Sequence, residues 1–351
     1  MKIILVLLAL AFSTISLSQN IKKIIDNNDL EDLKNYIDKH EEIYEEISFR
    51  DVDYSVHPMI YASKLERLDM VKLFAKNQTK IDDYHTVMSI AFAVSFATGN
   101  QELIDFLYSE DPNVNEICEM YHGHNAIMIA TVYGNEDWYF KLKEKSEMTI
   151  ISNDGNNLYH LATESSLFNE LIFNDLKTIE ELDIDKINKI GRTPLQFAAK
   201  SGNDTVFNLF LNSGATFNDL EGFYHDAIFG SNIDIYNYVE SIIDSTQIWK
   251  RHETFDSEDF NSYYPLELAL LYNSTAIAKQ TMDEMLDDIE KTNNNAHIDL
   301  MVDILNSRET EDDVFLPLWE TIQWNNKELF QLFLEGMVIL NEMELEYTAY
   351  N

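Results

Sequence analysis

Short apolar runs recur along this chain in pairs, most of them separated by a turn-forming residue. Pro58 to Ala62 is followed by Met70, Val71, Leu73 and Phe74. Ile90 to Ser95 leads through Gly99-Asn100 to Leu103, Ile104, Phe106 and Leu107, and Ala126 to Ala130 leads through Gly134-Asn135 to Trp138. Leu158 to Ala162 opens another pair, and Pro194 to Ala199 passes through Gly202-Asn203 to Val206, Leu209, Phe210 and Leu211. Weaker copies begin at Gly222, Tyr264 and Leu316. Apolar positions three and four apart mark a helix with one greasy face, and glycine between two such helices supplies the positive φ of a tight turn. The pattern predicts helix–turn–helix units. Residues 24–37 read as a half-unit whose outer face is polar (Lys22, Lys23, Lys34), as the first member of a stack requires.

A small residue stands at one fixed place in each unit: Ala62, Ser95, Ala130, Ala162, Ala198, Ala227, Ala269 and Thr321. Their separations are 33, 35, 32, 36, 29, 42 and 52, so the first five bracket a period of about 33 residues. Helices of a hairpin approach closely only where no large side chain intervenes. The two longer separations imply insertions near 241–262 and 280–314, both rich in acids such as Glu253, Asp283, Glu284, Asp287, Asp288 and Glu311. These segments are expected to be longer helices or loops.

The clearest unit reads Gly191-Arg192-Thr193-Pro194-Leu195-Gln196-Phe197-Ala198-Ala199, with Gly214-Ala215 at its end. It resembles the ankyrin repeat, with Gln196 where that motif has histidine; His160 keeps the histidine in the unit before. The resemblance implies an all-α ankyrin-repeat solenoid of stacked helix–turn–helix units with short hairpin loops. Its expected parts are a leader at 1–18, a capping half-repeat at 19–50, regular repeats at 51–245, and divergent repeats with acidic insertions at 246–351. It also implies a concave side, lined by first helices and hairpin tips, that binds proteins. The residues before each inter-helix turn would face that side. Those singled out are Tyr133, Lys200, Phe229, Tyr272 and Trp324, joined by His122, His124 and Arg192 from the tips. Aromatic residues have no need to face water, and at such positions they are typical anchors for a partner.

Met1-Lys2, the apolar run Ile3 to Phe12 and small residues at Ser16 and Ser18 have the layout of a secretory signal cleaved near Ser18-Gln19. That run is too short to span a bilayer. The expected location is the periplasm or the outside. With 62 acidic against 25 basic residues, the net charge is −37, and cleavage would remove only one charge, that of Lys2. Such a field repels nucleic acid and anionic lipid and favours basic partners, although solubility alone also accounts for it. Cys118 is the single cysteine, so stability has to come from burial.

Chemistry is sparse. The chain has no G-x-S-x-G elbow, phosphate loop, H-E-x-x-H or paired-cysteine site, and no cofactor or metal is expected. His122 and His124 could share a metal on a strand, but lack a third ligand nearby in sequence and read as exposed tip residues. Asn77, Asn203 and Asn273 head N-x-[ST] sequons. The expected role is a monomeric exported scaffold that binds a protein and catalyses nothing. An acidic inhibitor that neutralises a basic toxin or enzyme, and an enzyme hidden in the last third, are the competing readings.

Overall fold

The computed structural model describes residues 21–43, 47–48, 55–164, 167–243, 252–253, 262–292, 296–298, 301, 326–332, 334–336 and 338–339. The expected leader at 1–18, the expected unit opening at Leu316, Trp324 and the acids from Glu309 to Asp313 lie outside the described residues.

The chain divides into two compact units, Met1–Leu182 and Asp183–Asn351. Among its described residues the first unit holds five helix pairs: α1 (21–26) with α2 (Leu30–Lys39), α3 (Pro58–Lys64) with α4 (Leu68–Lys76), α5 (Tyr84–Ser95) with α6 (Gln101–Ser109), α7 (Ala126–Val132) with α8 (Glu136–Lys143), and α9 (Leu158–Glu164) with α10 (Glu170–Leu176). First helices pack on first helices, α3 on α5, α5 on α7 and α7 on α9, while α2 packs on α4 and α8 on α10. The second unit repeats the scheme with α11 (Pro194–Lys200) and α12 (Asp204–Asn212), α13 (Leu220–Phe229) and α14 (Ile233–Ile242), and α15 (Pro265–Leu271) and α16 (Thr275–Thr292). There α11 packs on α13, α13 on α15, α12 on α14 and α14 on α16. The fold is all-α, with hairpins stacked side by side within each unit. The strands among the described residues are two-residue antiparallel pairs, β1 (Ile47–Ser48) with β2 (Ser55–Val56) and β3 (His252–Glu253) with β4 (Ser262–Tyr263).

Among the described residues, the periodic small residues lie on the first helices of their hairpins. Ala62, Ser95, Ala130, Ala162, Ala198, Ala227 and Ala269 are all buried. Five second helices begin alike, whereas α2 is capped by Asp29 and α4 has no side-chain cap: the side-chain oxygens of Asn100, Asn135, Asn169, Asn203 and Asn232 accept from the N–H of Leu103, Trp138, Ile172, Val206 and Ile235. Each cap satisfies a donor that the first helical turn leaves unpaired. Successive hairpins approach closely at their turns, as at Gly134 in the first unit, where a Cβ would collide with the carbonyl oxygen of Leu167, and at Gly202 in the second. A Cβ on Gly202 (φ +67°) would lie 2.1 Å from the carbonyl oxygen of Gly230, and one on Gly230 equally near that of Ala199. Asn232 Nδ2 completes the junction by donating to Gly202 O at 2.9 Å.

Gln196 shows why the central unit dispenses with histidine. Its Oε1 accepts from Thr193 N–H at 3.0 Å and from Asn218 N–H at 3.4 Å, while Nε2 donates to Asp219 O at 3.3 Å. One buried amide therefore ties the head of α11 to the cap of α13. The acids of the later insertion turn out to be helical as far as Thr292. Asp283, Glu284, Asp287 and Asp288 ride on α16, whose Ile277, Ala278, Met282, Met285 and Ile289 keep helical spacing and are buried. No helix among the described residues is long and apolar enough to cross a membrane.

Candidate partner-binding face

Three of the residues singled out in the sequence meet in the second unit. Lys200 ends α11, Phe229 ends α13, and Tyr272 follows the last residue of α15. The glycine contacts described above draw the ends of α11 and α13 together. Nζ of Lys200 lies 4.7 Å from the centre of the Phe229 ring, and the Phe229 and Tyr272 rings meet edge to face at 4.6 Å. Phe229 is 37% exposed, while Lys200 and Tyr272 are half-buried. A cation, a benzyl ring and a phenol thus form a continuous surface row, although 29 and 43 residues separate them in the chain.

Beneath the row is a polar layer that sequence reasoning did not find. Nε2 of His225 and the Tyr272 hydroxyl share a hydrogen bond of 3.1 Å, and Nδ1 of His225 lies 3.6 Å from Oδ1 of Asp226. Oδ2 of Asp226 faces Nε of Arg192 at 2.6 Å, and Arg192 also reaches Asp219 at 3.9 Å. His225, Asp226 and Arg192 are all buried. Burial pushes the Asp226 carboxyl up from its ordinary range against the opposing pull of His225 and then Arg192. Gly222 makes room for this layer, since a Cβ there would lie 2.4 Å from a guanidinium nitrogen of Arg192. One signal for these residues was present in the sequence: His225 and Asp226 interrupt the apolar run from Phe223 to Phe229. Buried ionisable groups are usually paired with one another.

The other singled-out residues are dispersed. Tyr133, at the end of α7 in the first unit, is 38% exposed. Arg192 is not a surface residue, because its charge is held inside by Asp226. His122 is exposed, with Nδ1 3.4 Å from Asp154. His124 corrects the expectation of an exposed tip. It is buried because its backbone closes an antiparallel bridge with Cys118, and burial, helped by His122, pulls its imidazole down to about 4. Burial likewise pushes the Cys118 thiol up to about 11, which disfavours the reactive thiolate. Among the described residues, no group of three or more His, Cys, Asp and Glu could hold a metal ion.

The three sequon asparagines are all engaged. Asn77 Nδ2 donates to Leu73 O at 2.8 Å, Asn203 caps α12, and Asn273 accepts from Asn326 at 2.7 Å.

Comparison with protein families matches residues 190–220 to the ankyrin repeat. The match covers α11, α12 and the first residue of α13, so Lys200 lies within it and the two rings lie beyond it. Ankyrin repeats are in general binding scaffolds without enzymatic activity, and they imply a protein partner. A comparison with curated proteins finds no match.

Proposed function

We propose that this chain is an exported scaffold that binds another protein through the face on which Lys200, Phe229 and Tyr272 meet, and that its work is binding and not catalysis. The row itself is the observation behind this reading. Two aromatic rings stand edge to face at the ends of neighbouring first helices, partly open to water, where packing does not require them. Rings held rigidly in this way lose little freedom when a partner covers them. Export rests on the leader-like segment at 1–18.

The test is affinity capture by the mature chain from its own host, run beside a Phe229→Ala/Tyr272→Ala variant with an unchanged far-UV spectrum. A protein retained by the wild type should bind the variant at least about 30-fold more weakly. Equal retention by both would remove the row from the interface. Export is tested separately: mass spectrometry of the exported protein should find its first residue near Gln19.

The net charge of −37 favours a second reading, in which the chain neutralises a basic toxin or enzyme. Association would then be steered by charge and would slow steeply as salt rises. A captured protein that is not basic, or whose association rate ignores salt, would set this reading aside.

A further inference from the structure

On the second helices of the last two described hairpins, one side-chain amide holds two carboxyls together. Nε2 of Gln280 donates to Oε2 of Glu240 on α14 and to Oε1 of Glu284 on α16, each at 2.8 Å. These two bonds use both hydrogens of the amide. Behind them runs a line of buried hydroxyls. Tyr236 donates to Glu240 Oε1 at 3.3 Å, and its oxygen lies 2.8 Å from that of Tyr224 on α13 and 3.2 Å from that of Thr281 on α16. The groups bearing on Glu240 are Glu284, Tyr236 and Gln280, and none of them is a cation.

We propose that Glu240 and Glu284 form an acid pair that shares one proton at neutral pH and clasps α16 to α14, so that the packing of these two helices loosens when the proton leaves. Two carboxylates drawn together on one amide repel if both are ionised, whereas a single shared proton turns repulsion into attraction. Burial, then the hydrogen bond and charge of Glu284, push the Glu240 carboxyl up to about 8.

The surroundings keep the proton in place. α16 carries Asp283, Asp287 and Asp288 near Glu284 against Lys279 and Lys291, with Lys291 engaged by Asp287 and His297 by Asp288, and Asp283, Asp287 and Lys279 line the same open cleft as Glu284. α13 contributes the neutral Tyr224, and α12, which also packs on α14, carries only Asp204, in its first turn. In the folded state the pair keeps a proton that an unfolded glutamate has already lost. The resulting stability is therefore present at lower pH and disappears as pH rises through about 8, opposite to a carboxylate in a salt bridge. This device does not depend on what the Lys200 row binds.

Hydrogen exchange of α16 in the full chain, corrected for the intrinsic pH dependence of exchange, reads the clasp directly. Opening of α16 should rise by about tenfold between pH 7 and 9 in the wild type, as one-proton linkage requires. Glu240→Gln, which mimics the protonated acid, should flatten that rise. An unchanged wild-type opening, or an E240Q chain that keeps the wild-type rise, overturns the proposal. Infrared spectroscopy of the wild type gives a second readout that no variant's folding can confound. A protonated-carboxyl band should be present at pH 7 and largely gone by pH 9; its absence at pH 7 also overturns the proposal.

Discussion

Nε of Arg192 stands 2.6 Å from Oδ2 of Asp226, with both side chains almost wholly out of water. The pair links the tip before α11 to the middle of α13, and so joins two successive hairpins. Removing one partner strands the other charge in the interior, which typically costs about 3–5 kcal/mol. Asp226→Ala should lower the stability of the second unit by that amount, read as a shift of the urea midpoint. Replacing both residues together, with Arg192→Met and Asp226→Leu, should recover most of the loss, since apolar groups of similar size tolerate such sites.

Gly202 and Gly99 both have positive φ, but only Gly202 is hemmed in by a neighbouring turn. Gly99→Ala meets open space and should cost about 1 kcal/mol from backbone conformation alone. Gly202→Ala adds a collision with the Gly230 carbonyl and should cost clearly more, with the larger fall in melting temperature. Equal losses would mean that the close approach of the two turns does not constrain the stack.

Burial pulls the imidazoles of both His57 and His124 down to about 4, from an ordinary value of 6.5. Below pH 6.5 the unfolded chain takes up protons that these folded side chains refuse. Their contribution to stability is thus complete above about pH 6.5 and drains away as pH falls toward 4. In a histidine NMR titration, these two rings should stay neutral at pH 5.5. Charged rings at that pH would place both side chains in water.

Asn203 caps α12 through its side-chain oxygen. Asn203→Ala should cost about 1 kcal/mol, and Asn203→Asp close to nothing, because aspartate caps as well. Thermal melts of the two variants distinguish the cap from any other role of this residue.

Much of the fold was legible in the residues. Ala62, Ser95, Ala130, Ala162 and Ala198 recur near the ankyrin period because each hairpin needs a small residue at its closest contact, and that need recurs with every unit. Lys200, Phe229 and Tyr272 were legible as positions before turns, but not as one surface. The meeting of Lys200 and Phe229 depends on how closely Gly202, Gly230 and Ala199 approach, and that of Phe229 and Tyr272 on the packing of α13 on α15, neither of which residue spacing reports. His225 was missed for a related reason: its partner Tyr272 stands 47 residues away.

By itself, the sequence determined what is local and repeated: the helix pairs, their caps and turns, the acidic charge and the scarcity of catalytic motifs. These follow from near-neighbour rules of backbone geometry and from the burial of one face of each helix. Tertiary structure alone decided which charges lie inside, that Arg192 serves Asp226 and not the surface, that His124 is covered, and that Glu240 meets Glu284. The physical reason is that burial and charge pairing depend on distance in space, which is set only when one hairpin packs against the next.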